Sequence, residues 1–132
     1  MSDLQTLAEK ARSNAYVPYS KFQVGASLET EDGTVFTGAN IENASYGLTN
    51  CAERTAIFKA MSEGHRKIKK LYVTADTDGP VSPCGACRQV IAEFMDSTGE
   101  VILGNLKGET RTVTIATLLP GAFEAGDMND KQ

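Results

Sequence analysis

Apolar residues recur along this chain in two rhythms, one near 3.6 residues and one of about 2, and the switches between them outline its elements. Leu4, Leu7, Ala8, Ala11 and Ala15 keep helical spacing, and Ser2 with Gln5 forms a capping-box pattern, so residues 2–15 predict a helix. Pro18 punctuates a loop over 16–20. Phe22, Val24, Ala26 and Leu28 then alternate with polar or small residues, the pattern of a half-buried strand. Asp32-Gly33 predicts a type I′ hairpin turn, because glycine accepts the positive φ that turn needs, and 35–39 is the returning strand. Residues 40–49 are polar without a period and read as a loop.

A second helix is predicted over 50–63, with Ala52, Ala56, Phe58, Ala60 and Met61 available for a core face and Gly64 as its stop. Leu71, Tyr72 and Val73 mark a strand over 70–75, and 76–81 is rich in turn formers. Ser82 as cap with Pro83 in the first turn opens a third helix, which carries Val90, Ile91, Phe94 and Met95. Short strands follow over 100–103 and 112–115, and 117–119 begins a short helix. The order α-β-β-α-β-α-β-β predicts an α/β fold: one mixed sheet, begun by a hairpin and covered by helices. The pattern alone leaves the strand order open.

Composition narrows the class. A chain of 132 residues with 41% hydrophobic residues suits a single domain over 1–132 with one core, apart from a polar tail from Glu124. No apolar run approaches the roughly 18 residues of a membrane helix, and Met1-Ser2-Asp3-Leu4 lacks the start of a secretion signal, so a cytoplasmic protein is expected. Seventeen acids against thirteen bases leave a net charge of −4. The densest basic cluster, Arg66, Lys67, Lys69 and Lys70, reads as a solvated connection between helix and strand. Polynucleotide binding needs phosphate neutralisation, which an acidic chain with one short basic patch supplies poorly.

Chemistry concentrates in two segments. Asn50-Cys51-Ala52-Glu53-Arg54 and Pro83-Cys84-Gly85-Ala86-Cys87-Arg88-Gln89 each begin a predicted helix. Helix N-termini favour anions and lower thiol pKa, so two such ends facing each other would gather three thiolates. Zinc suits that set, being borderline-soft and content with tetrahedral sulfur. The lone histidine, His65, lies about 20 Å from Cys51 along a helix rising about 1.5 Å per residue, which leaves it a surface residue at the far end. Three ligands and an open fourth position characterise a catalytic zinc, which acidifies water. Glu53 is placed either to cap its helix with Asn50 or to shuttle protons, and the three nearby cysteines favour the shuttle. Arg54 is either an exposed helix residue or a donor to the sulfurs, drawing charge from them.

Cys-Ala-Glu followed by Pro-Cys-x-x-Cys resembles the signature of zinc nucleoside and nucleobase deaminases, with cysteine in place of the frequent histidine. Tyr16 to Ala26, Gly38 to Gly47 and Leu118 to Phe123 are similar to segments of the small homotetrameric cytidine deaminases. That resemblance implies a five-stranded sheet flanked by helices and one Zn²⁺ per chain. It also implies hydrolysis of cytidine and 2′-deoxycytidine to the uridines with release of ammonia. By the same resemblance Cys51, Cys84 and Cys87 hold the metal and Glu53 is the general acid and base. Asn40 and Glu42 bind the ribose hydroxyls, Phe22 lies beside the base, and the Ala52 backbone addresses the pyrimidine. Tyr46 and Phe123 come from neighbouring subunits to complete each site.

Three rivals share some of these features. A small zinc deaminase acting on another aminopyrimidine nucleoside, such as blasticidin S, would carry both cysteine motifs, but Asn40-Ile41-Glu42-Asn43 points to a ribose. A structural zinc module lacks its fourth ligand here. A thiol redox protein built on Cys84 and Cys87 would leave Cys51 and Glu53 unexplained. A polynucleotide deaminase would share the metal core, but the short acidic chain favours a free nucleoside, with neither nucleic acid nor membrane as partner.

Overall fold

The computed structural model describes residues 2–121. Its elements are α1 (Ser2–Arg12), β1 (Val24–Thr30), β2 (Val35–Ala39), a 3₁₀ turn (Tyr46–Leu48), α2 (Ala52–Ser62), β3 (Ile68–Ala75), α3 (Gly85–Phe94), β4 (Glu100–Gly104), β5 (Thr110–Val113) and α4 (Ile115–Leu118). The five strands form one sheet in the order β2-β1-β3-β4-β5. The β3–β4 pair is parallel and every other neighbour is antiparallel, so the sheet is mixed as predicted.

Alternation along the strands sorts two faces. Ala26, Leu28, Leu71, Val73, Val101 and Leu103 meet Ala52, Ala56, Ile57 and Ala60 of α2 and Ile91 of α3 in the main core. On the opposite face Tyr72 and Ile102 pack with Leu4 and Ala8 of α1, and Ser27 Oγ donates to the Leu4 carbonyl at 2.6 Å. Phe58 departs from the predicted core face and is 46% exposed, because it sits across the helix from the Ala52–Ala56–Ala60 row. Two glycines let the helices ride close to the sheet. A Cβ on Gly25 would stand 2.0 Å from the Ala8 carbonyl oxygen, and one on Gly38 would stand 2.5 Å from the Ala56 amide nitrogen.

Element boundaries shift where side chains capture backbone. The first helix stops short of Ala15, since Ser13 and Asn14 close as turns onto Lys10 and Ala11. Strand β1 starts at Val24 rather than Phe22, whose amide goes to Ser20 Oγ at 3.0 Å. The hairpin keeps Gly33 at φ +88°, but Asp32 stays at negative φ, so the turn is not type I′. Instead Gly33 N–H returns to the Thr30 carbonyl, and Asp32 accepts from Thr30 Oγ1 and the Thr34 amide. Strand β5 lies two residues earlier than predicted, because Thr114 caps α4 by accepting from the Thr117 amide.

One feature of this topology positions the chemistry. Strand β2 is antiparallel to β1, and β1 is antiparallel to β3, so β2 and β3 point the same way. Their C-terminal ends share one edge of the sheet, and α2 and α3 both begin there.

Candidate metal and active site

Cys51 and Cys84 are the N-cap residues of α2 and α3, each in extended backbone conformation. The second helix starts at Ala52 because Asn50 is held in a bridge with Ile41, each amide donating to the other's carbonyl at 2.9 Å. Asn50 is therefore no helix cap. Its side chain donates to Thr55 Oγ1 at 3.3 Å, and no capping box with Glu53 forms. Ser82 likewise yields the cap of α3 to Cys84, whose sulfur accepts from the Cys87 amide at 3.4 Å.

The sulfurs converge. Cys51 Sγ and Cys84 Sγ stand 3.7 Å apart, and the Sγ atoms of Cys51, Cys84 and Cys87 all lie within 4.8 Å of one another. A tetrahedron with zinc–sulfur legs of about 2.3 Å has edges of about 3.8 Å, so this spacing fits the ion. Among the described residues no histidine or carboxylate joins the group. His65 instead meets Asp32 at 3.6 Å and packs edge-on against Phe36, half-buried rather than on the open surface.

Electrostatics supports the same fit. The Cys87 thiol donates to Cys51 and, with a further bond from Arg54, draws the Cys51 thiol well below its ordinary range. That donation, with burial and the Glu53 charge, pushes the Cys87 thiol up. One thiolate thus forms at its neighbour's expense, and a bound dication is what allows all of them to ionise together. Arg54 Nη2 donates to Cys51 Sγ at 3.2 Å, while its buried Nε has no acceptor among the described residues.

Glu53 is 4% exposed. Burial pushes its carboxyl up to about 7, helped by the Cys51 charge and opposed by Arg54 and a Cys87 donation. A carboxyl balanced near neutrality both accepts and gives a proton at working pH. Ala52 is fully buried beside it.

A second group of residues lies one bridge away. Asn40 accepts from the Val24 amide and donates to the Phe22 carbonyl, both at 2.9 Å, which joins Phe22 to Asn40. Glu42 Oε1 accepts from the Tyr19 and Ser20 amides at 3.1 Å each, and Oε2 accepts from Ser20 Oγ. The Ser20 donation holds the Glu42 carboxyl below the usual carboxylate range. Tyr16, Ile41 and Asn50 are laced by backbone bonds, which tie this loop to the residue before Cys51. Tyr46 stands apart on the 3₁₀ turn, 84% exposed, and Phe123 lies outside the described residues. Sequence reasoning missed Ser20, Thr55 and Arg88. Ser20 and Glu42 are 22 positions apart with no pattern to link them. Arg88 directly follows Cys87, and that adjacency is its one signal in the sequence.

Sheet, paired helix starts, sulfur triad and buried carboxyl together define a metal-dependent hydrolytic centre of the deaminase type. The family model described as the cytidine and deoxycytidylate deaminase zinc-binding region matches residues 1–104, and the chain belongs to that family. It is 63% identical over 123 residues to a cytidine deaminase of Halalkalibacterium halodurans, covering 93% of each protein. It is 62% identical over 122 residues to one from Sporosarcina psychrophila, covering 92% of this chain and 90% of the relative. Its fold is also similar to the crystal structure of cytidine deaminase from Burkholderia pseudomallei, with a TM-score of 0.90 and 52% identity over 92% of this chain and 98% of that one.

Proposed function

We propose that this chain is a zinc-dependent cytidine deaminase, hydrolysing cytidine and 2′-deoxycytidine to the uridines and ammonia. The observation that carries the chemistry is the buried Glu53 carboxyl, poised near pH 7 two residues from Cys51 in the sulfur triad. Cys51, Cys84 and Cys87 hold one Zn²⁺, which when bound lowers the pKa of water and so provides a nucleophile at neutral pH. Arg54 moderates the negative charge of the thiolates by donating to Cys51.

Glu53 does the proton work. Its carboxylate takes a proton from the attacking water and passes it to pyrimidine N3, which makes C4 electrophilic. The oxygen bonds to C4 as a hydroxyl, and Glu53 then takes that hydroxyl's proton and hands it to the 4-amino group, leaving a C4 carbonyl. The C4–N bond breaks, ammonia leaves, and Glu53 is regenerated. Such transfers contribute roughly 10²–10⁴-fold to rate. The buried Ala52 presents its backbone to the pyrimidine, and Phe22 stacks beside the base. Asn40 and Glu42 address the ribose hydroxyls from the loop they brace. This loop favours a ribose ligand over a modified sugar such as that of blasticidin S, and a substrate panel with both nucleosides discriminates.

The apolar side chains around that loop support a homotetramer whose neighbours complete each site. Tyr16, Tyr19, Ile41, Tyr46 and Leu48 are exposed in one chain, and aromatic and aliphatic side chains of this kind are what a subunit interface covers. Tyr46 and Phe123 are the contributions to a neighbour's pocket. The working compartment is the cytoplasm, where three free thiols stay reduced. Among the described residues no helix is long and apolar enough to cross a membrane. The test is the fall in ultraviolet absorbance of cytidine on zinc-loaded protein, with ammonia measured in parallel. Turnover that disappears on chelation is expected, and a zinc-loaded protein inert on both nucleosides overturns the reading.

A further inference from the structure

The lead into the second cysteine motif has an unusual dependence on one side chain. After Val81, whose amide donates to the Gly104 carbonyl at 2.9 Å, the chain runs without regular structure to Cys84, itself in extended conformation. Pro83 brings no amide hydrogen to that stretch. The oxygens there converge on residue 88. Arg88 Nε donates to the Pro83 carbonyl at 3.0 Å, Nη2 donates to Ser82 Oγ at 2.6 Å, and the Arg88 amide donates to the Cys84 carbonyl at 3.0 Å. Its remaining terminal nitrogen, Nη1, donates to the Leu118 carbonyl at 2.7 Å, at the end of α4. Every one of these acceptors is a neutral oxygen, so the guanidinium acts here as a rigid planar fork and not as an ion-pair partner.

We propose that Arg88 is a positioning residue for the metal centre, fixing Cys84 from behind and locking it in register with the end of α4. The side chain grips the two residues before Cys84, and the backbone of the same residue grips Cys84 itself. The Cys84 backbone therefore cannot shift away from α2 without breaking several bonds to one residue, and the Cys87 amide holds the sulfur itself at 3.4 Å. Through Leu118 the same fork fixes where the chain departs from α4. The inference rests on the reading of Cys84 as a metal ligand.

Zinc release to a chromogenic chelator, followed in the purified zinc-loaded protein, tests it. Arg88→Gln and Arg88→Lys are both expected to speed release by about 10–100-fold, the usual effect of removing a partner that orients a ligand. Lysine keeps the charge but cannot span three acceptors. Ser82→Ala removes one of the three side-chain bonds at an exposed position, with an expected acceleration of about fivefold. Leu4→Ala, in the core on the opposite face of the sheet, controls for general loosening, with all variants compared at temperatures where circular dichroism shows them fully folded. Release at the parental rate in Arg88→Gln overturns the proposal. So does full recovery in Arg88→Lys, or equal acceleration in Leu4→Ala. Should Arg88→Gln not fold, Ser82→Ala and Arg88→Lys still decide the matter by the same criteria. A parental protein that holds no zinc would instead refute the ligand reading, a distinguishable failure.

Discussion

Replacing Glu53 by glutamine separates what this carboxyl does for the reaction from what it costs the fold. Glutamine keeps the shape and stays neutral. Burial raises the folded-state carboxyl from 4.5 to about 7, so the folded protein binds its proton more tightly than the unfolded chain does. The stability linked to this group is complete below about pH 4.5 and is lost as pH climbs through about 7. The full displacement corresponds to about 3 kcal/mol in metal-free protein, nearly all of it felt at pH 8 and less than about 1 kcal/mol at pH 5. Metal-free Glu53→Gln is therefore expected to melt about 10 °C above the parent at pH 8 and close to it at pH 5, using about 3–4 °C per kcal/mol for a chain of this size. The zinc-loaded variant is expected to lose at least about 10²-fold in kcat. Thermal melts by circular dichroism at the two pH values, with the cytidine absorbance assay alongside, make the comparison. A stability difference that is the same at pH 5 and pH 8 refutes the placement of an ionising carboxyl in a dry site. Retained turnover refutes its role in proton transfer.

Other substitutions probe the rest of the site. Cys84→Ala is expected to leave the purified protein without zinc by elemental analysis, and a full metal complement would contradict the ligand assignment. Arg54→Gln removes the 3.2 Å bond to Cys51 and is expected to cost about 10–100-fold in zinc affinity or kcat, measured by zinc titration and steady-state kinetics. Unchanged values in both would leave Arg54 without a part in the centre. Gly38→Ala forces a Cβ to within 2.7 Å of the Ala52 carbonyl oxygen, so α2 must lift from the sheet. A loss of about 1–3 kcal/mol in denaturant unfolding is expected, and unchanged stability would show that the helix has room to give.

Much of this was legible in the sequence because local pattern and tertiary packing agree. The Gly64 stop and the Ala52–Ala56–Ala60 row serve the fold as the periodicity implies, whereas β1, expected half-buried, is covered on both faces because α1 packs on the side away from α2. The cysteine motifs read correctly as helix starts. Their meeting, however, depends on β2 and β3 pointing the same way, which strand periodicity does not encode. The errors cluster where a side chain takes a backbone partner from a distance. Asn50 looked like a helix cap until Ile41 claimed its backbone, and Ser82-Pro83 looked like a helix start until Cys84 took the cap. Ser20 and Glu42 find each other only through the fold, and no spacing rule anticipates them. Asn40 and Glu42 were visible by resemblance alone. Their structural work, bracing β1 and the Tyr19–Ser20 loop, came from the geometry.

The proposed chemistry depends on three sulfurs sharing one zinc and leaving a corner of its tetrahedron free. X-ray absorption at the zinc edge of the purified, active protein measures that coordination directly. Three sulfurs at about 2.3 Å and one oxygen at about 2.0 Å are expected. Four sulfurs, a histidine in the coordination sphere, or protein that turns over cytidine with no zinc at all would contradict it.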